Sequence, residues 1–233
     1  MGRIVAIAGG TRLTNRLLYC HTVKLSHKKN PHVLFIGTAS RDASVNIEAI
    51  TEEYGSLGCQ VRGLCLITDS YSEQEINSLL SWADIIYVGG GDTIFMMQTW
   101  KRFGLDEKLK EIFAQDLAVL SGISAGAICW FACGHSDSES FHIKEGWNFC
   151  WANGMLDLIH MAYCPHYNEA GRNTFDEMLK EKNMMGVAME NDTAFVYDNG
   201  AEYFIKGTPN ATAFVMQYNG GILQKQEVSF TDV

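Results

Sequence analysis

The chain has 233 residues, of which 47% are hydrophobic and 19% charged, with a formal net charge of −9. That supply of apolar residues excludes a disordered chain, and one domain over residues 1–233 is expected. The acidic balance argues against nucleic acid or an anionic membrane as a partner, and no apolar run reaches membrane-spanning length. Residues 1–4 lead straight into a strand pattern, so no signal peptide is expected. The seven cysteines are odd in number and include no CxxC, which fits reduced thiols and a cytoplasmic protein.

In chain order, a β-branched run at 3–8 reads as a strand closed by Gly9-Gly10, and Leu13, Leu17, Leu18 and Val23 follow a helical spacing. A second buried strand is expected at 32–38, a helix ending near residue 53, and a third strand at 60–68. Ser72 followed by Glu75 predicts a capping box at the start of the next helix. A fourth strand at 84–88 ends at Gly89-Gly90-Gly91-Asp92-Thr93, and two helices follow it. The run 117–120 reads as a strand buried on both faces, broken at Gly122-Ile123-Ser124-Ala125-Gly126 and continued as a buried helix through Trp130. Residues 134–154 read as loops over one end of the sheet. A short strand at 162–164, a helix at 174–181 and short strands at 185–189, 194–197, 202–205 and 211–217 complete the chain. Strands alternating with helices and apolar throughout predict an α/β fold. Its sheet is mostly parallel with helices on both faces, and its C-terminal edge is β-rich.

In such sheets the working groups gather beyond the carboxyl ends of the strands. Gly-x-Ser-x-Gly between strand and helix is the pattern of a nucleophile elbow, in which small neighbours admit a sharp turn and lift Ser124 beside a helix start. A serine nucleophile needs a base, and among the seven histidines His166 alone closes a short apolar strand, after Pro165. For the orienting acid, Glu190 closes another strand, with Asp137, Glu139 and Asp157 as rivals. Ser124, Asp157, His166 would be the α/β-hydrolase order of an esterase, and a binding protein without turnover is a third reading. Ala125 N–H and Gly91 N–H are expected as oxyanion donors. No metal or cofactor is expected. Trp147, Phe149 and Trp151 are read as packing of a long loop, with a pocket, a lid or a homodimer contact as other uses.

Taken together, Gly89-Gly90-Gly91-Asp92-Thr93, Gly122-Ile123-Ser124-Ala125-Gly126-Ala127, Pro165-His166-Tyr167 and Met189-Glu190 resemble the peptidase E and cyanophycinase family of serine peptidases. The resemblance implies a fold like that of class I glutamine amidotransferases and hydrolysis of small peptides, including dipeptides with N-terminal aspartate. It carries over a triad of Ser124, His166 and Glu190, and matches Gly91 and Ala125 to the oxyanion positions. The family's substrate-reading arginine has its nearest match in Arg172, and its loop acid falls near Asp137. Asp92 stands where the family often has asparagine. A carboxylate there would repel an acidic substrate unless it were turned away or paired.

Overall fold

The computed structural model describes residues 2–143 and 146–232. The first half alternates strand and helix: β1 (Arg3–Ile7), α1 (Arg16–Leu25), β2 (His32–Ile36), α2 (Ser44–Ser56), β3 (Gln60–Leu64), α3 (Glu73–Trp82) and β4 (Ile85–Val88). The helices α4 (Thr93–Phe103) and α5 (Leu105–Ala114) precede β5 (Val119–Ile123) and a single turn, α6 (Ala125–Ile128). The second half runs β6 (Phe131–Ser136), β7 (Cys150–Asn153), β8 (Ile159–Cys164), α7 (Thr174–Met178), β9 (Gly186–Met189), β10 (Thr193–Asp198), β11 (Ala201–Lys206), β12 (Ala213–Asn219) and β13 (Ile222–Glu227).

These strands form two sheets, a seven-stranded one in the order β11-β10-β1-β5-β4-β2-β3 and a six-stranded one in the order β13-β12-β9-β8-β6-β7. In the first, β1, β2, β3, β4 and β5 are mutually parallel, the inner four largely apolar and buried and β3 a half-exposed edge, while β10 and β11 add an antiparallel edge on the other side. One face of this sheet packs on α1 and α2 through Leu18, Tyr19, Phe35, Tyr54 and Tyr87. The other face meets the helices from α3 to α6 and also the second sheet. That contact is aromatic: Phe131 stacks on Tyr163 at 4.4 Å between centroids and meets Phe195 of β10 edge-on at 5.6 Å. The Tyr163 hydroxyl, fully buried, donates to the Ala6 carbonyl of β1 at 3.3 Å.

Several expectations shift. The α3 cap forms as expected, with Ser72 N–H on the Glu75 carboxylate at 2.7 Å and Glu75 N–H on the Ser72 hydroxyl at 3.3 Å. The elbow strand begins later than the apolar run, since Leu117 is exposed. The elbow helix stops at Ile128, and the segment read as loop contains β6 and β7. Its Gly134, His135 and Ser136 are polar or small yet buried, because β6 lies inside the second sheet. Residues 144 and 145 of that expected loop lie outside the described residues. The C-terminal strands do not form one edge. They divide, β10 and β11 joining the first sheet while β9, β12 and β13 join the second.

Candidate active site

The carboxyl ends of β1, β4, β5, β8 and β9 converge. Ser124 follows β5, the central strand, and adopts φ 56°, ψ −115°, a conformation that L-residues avoid. The flanking glycines are there for space. A Cβ on Gly122 would lie 2.2 Å from the Gly126 carbonyl oxygen, and one on Gly126 would lie 2.2 Å from that of Val88. The Ser124 N–H is held by the Ile7 carbonyl at 3.1 Å.

His166 comes from the other sheet, two residues beyond β8, and also has a positive φ of 55°. Its Nε2 lies 2.9 Å from Ser124 Oγ. Both members of this pair are therefore fixed in strained backbone, and two sheets bring them together. The imidazole is mostly buried, which pushes its pKa below the ordinary 6.5 by disfavouring the cation. Glu169 and Asp137 act against that shift and Arg172 with it. A neutral imidazole beside a hydroxyl is the state a general base needs.

At the other ring nitrogen the structure departs from expectation. Among the described residues no hydrogen bond joins Glu190 to His166. The Glu190 carboxylate instead accepts from the Thr212 N–H at 3.1 Å. His166 Nδ1 lies 2.7 Å from Asn191 Oδ1 and 3.2 Å from Glu169 Oε1. Beyond the end of β9 the chain turns so that Glu190 reaches Thr212 while Asn191, in the turn, faces the imidazole. The other acids are occupied: Asp157 with His160 at 3.0 Å, Glu139 with Asn148, Asp137 with Arg172 at 3.2 Å. The sequence marks Glu190-Asn191-Asp192 as a polar cluster closing the strand at 185–189 but gives Asn191 no role of its own, and it does not single out Glu169. The available signal was the spacing His-x-x-Glu, which here closes a turn with Glu169 N–H on the His166 carbonyl at 2.8 Å.

Arg172 and Asp137 meet each other. The guanidinium is 4% exposed and donates to Asp137 and, at 3.0 Å, to the His135 carbonyl, with Phe149 4.7 Å away across its plane. Asp92 is buried and paired. One oxygen caps α4 at the Phe95 N–H, 3.1 Å, and the other lies 3.1 Å from His142 Nε2. Gly90 is the residue against Ser124, since a Cβ there would lie 3.2 Å from Ser124 Cβ, whereas Gly91, at φ +137°, packs on the Ala39 carbonyl. The Ala125 and Gly91 N–H groups have no acceptor among the described residues. A cavity of about 270 Å³ lined by Tyr19, Phe35, Ile50, Tyr87, Gly90 and Ile123 opens beside the elbow. Among the described residues, no cluster of three metal-ligating side chains occurs and no helix is long and apolar enough to cross a membrane.

The model of peptidase family S51 matches residues 4–203, which takes in Ser124, His166 and Asn191. The chain belongs to peptidase family S51. Among its relatives, the uncharacterized peptidase YgaJ of Bacillus subtilis is 32% identical over 173 residues, covering 72% of this chain and 70% of its own. The uncharacterized peptidase Lmo0363 of Listeria monocytogenes is 34% identical over 152 residues, 61% of this chain and 69% of its own. The fold is shared with a peptidase from an acI-B1 actinobacterium, at TM-score 0.74 and 19% identity over 100% of this chain and 96% of that one. It is shared too with a Listeria monocytogenes EGD-e protein described as a candidate peptidase E, at TM-score 0.67 and 23% identity over 88% and 98%. This S51 chain is thus a peptidase-family α/β protein.

Proposed function

We propose that this S51 protein is a serine peptidase acting on small peptides through an acyl-enzyme. The observation that carries the reading is the 2.9 Å approach of Ser124 Oγ to His166 Nε2 at a strained strand-to-helix turn. Ser124 Oγ attacks the scissile carbonyl while its proton passes to Nε2, so an O–C bond forms and the carbonyl oxygen takes the negative charge. The N–H of Ala125, at the head of α6, and that of Gly91 receive that charge; losing one such donor costs about 2.7–4 kcal/mol of barrier. The C–N bond then breaks as Nε2 returns the proton to the leaving amine. Water repeats the sequence: its proton goes to Nε2, its oxygen bonds the acyl carbon, and Ser124 recovers its hydrogen as the acid leaves.

An N-terminal aspartate is the family's implied preference. Arg172, its nearest cationic reader, has its donors on Asp137 and the His135 carbonyl. The reading is therefore of small peptides, with Arg172 bracing the site. Ser124→Ala tests it: kcat on the best of a panel of Asp-X, Glu-X and neutral dipeptides should fall by roughly 10⁴- to 10⁶-fold. Wild-type turnover in the purified, folded variant would remove Ser124 from the mechanism.

A further inference from the structure

The proposed chemistry leaves a charge to be accounted for. When Nε2 takes the serine proton the imidazole becomes a cation in a largely buried position, and a neutral ring must first be held with Nδ1 protonated. Among the described residues, two side chains reach Nδ1, those of Asn191 and Glu169.

The network is consistent in every direction. If Ser124 Oγ–H donates to Nε2, then Nδ1 carries the hydrogen and donates to Asn191 Oδ1 at 2.7 Å. That leaves the Asn191 amide nitrogen as a donor, and it meets Glu169 Oε1 at 2.9 Å. The same Glu169 oxygen lies 3.2 Å from Nδ1 itself, so the carboxylate touches both the ring and its spacer. The Asn191 main chain is fixed as well, with its N–H on Asn168 Oδ1 at 2.9 Å. Asn168 and Glu169 belong to the turn that His166 opens, so one short segment supplies the base, the clamp on Asn191 and the counter-charge. Gly9 is the fourth wall, since a Cβ there would lie 2.1 Å from Asn191 Oδ1 and 2.2 Å from His166 Nδ1.

Resting on the serine-peptidase reading, we infer that Glu169, directly and through the Asn191 carboxamide, is the positioning group that holds His166 in its productive tautomer and offsets its charge. Glu190 has a different task, anchoring the end of β9 to the backbone at Thr212. The effect of Glu169 is moderated by water, because its side chain is 51% exposed. Its removal therefore costs less than the roughly 10⁴-fold that replacing a buried triad aspartate costs.

The experiment is a pH profile of Ser124 labelling by a fluorophosphonate, run beside kcat/KM on the best dipeptide. In wild-type protein the rate rises with pH as the imidazole loses its proton, then levels. Glu169→Gln keeps the shape but removes the charge that favours the imidazolium. The plateau should drop roughly 10- to 100-fold and the acid limb should move to lower pH. Adding Asn191→Asp to Glu169→Gln puts a carboxylate directly on Nδ1 and should return the limb to wild-type pH or above, with recovered rate. Glu190→Gln should leave the limb in place. The assignment to Glu169 is overturned if Glu190→Gln moves the limb and Glu169→Gln does not, or if the double variant fails to restore it. Labelling without cleavage of any peptide would sink the peptidase reading while leaving the positioning role to be decided by the limb. A wild-type Ser124 inert to the reagent would overturn both.

Discussion

Gly9 shows how little room the site has. In the sequence Gly9-Gly10 reads as the turn after the first strand, but at Gly9 the missing side chain is what admits the imidazole and the carboxamide. Gly9→Ala should abolish fluorophosphonate labelling to within background and cost about 1–3 kcal/mol, the usual penalty of forcing an extra carbon into a packed place. A urea titration beside the labelling assay checks both, and a retained far-UV spectrum separates displacement of the base from unfolding. At this scale the sequence was legible where sterics dictate identity. Ser124 between glycines and His166 after Pro165 could be picked out because a sharp turn and a strand end leave few alternatives. The partner of Nδ1 was not legible, because choosing between Glu190 and Asn191 means knowing which way the chain turns as it leaves β9. A carboxylate is the better chemical guess, but the backbone directs it to Thr212.

Among the elements, the parallel strands could be read because apolar runs between helices have few other uses. β6 could not, because Gly134, His135 and Ser136 carry no apolar signature, although the strand pairs with both β7 and β8. What keeps such a strand buried is local pairing. Ser136 Oγ lies 2.8 Å from Ser138 Oγ, His135 Nε2 lies 2.9 Å from Thr174 Oγ1, and Arg172 reaches the His135 carbonyl. Arg172 thus ties the end of β6 to the segment after His166, with Asp137 as its counter-ion. Breaking a buried pair from one side leaves the other charge uncompensated, so Arg172→Ala should lower stability by about 3 kcal/mol. Chemical denaturation measures that. The ratio of kcat/KM for Asp-X over neutral dipeptides should stay as in wild type if the guanidinium braces the site, and should collapse if it reads the substrate.

For the molecule as a whole, stability follows pH through a histidine that takes no part in the proposed chemistry. His135 is fully buried, stacked on Phe149 at 4.7 Å, and its pKa is pulled down from 6.5 to about 3 by burial and then by the Arg172 cation. Between those values the unfolded chain binds a proton that the folded chain refuses. Stability present above pH 6.5 is therefore lost as the pH falls toward 3, by up to about 1.4 kcal/mol per pH unit from this residue alone. Urea midpoints at pH 7, 6, 5 and 4 should show that slope, and His135→Gln should flatten it by nearly one proton.

The two sheets lend one more property to the protein. The hydroxyl rides on one slab and the imidazole on the other, and the carboxamide of Asn191 sits on the short bridge between β9 and β10, where the chain crosses over. The proposed chemistry therefore straddles a seam. A small shift of one slab against the other would part Ser124 Oγ from His166 Nε2 before either sheet lost its own pairing. On that proposal, turnover would gauge how well two halves are docked, a finer gauge than whether each half is folded.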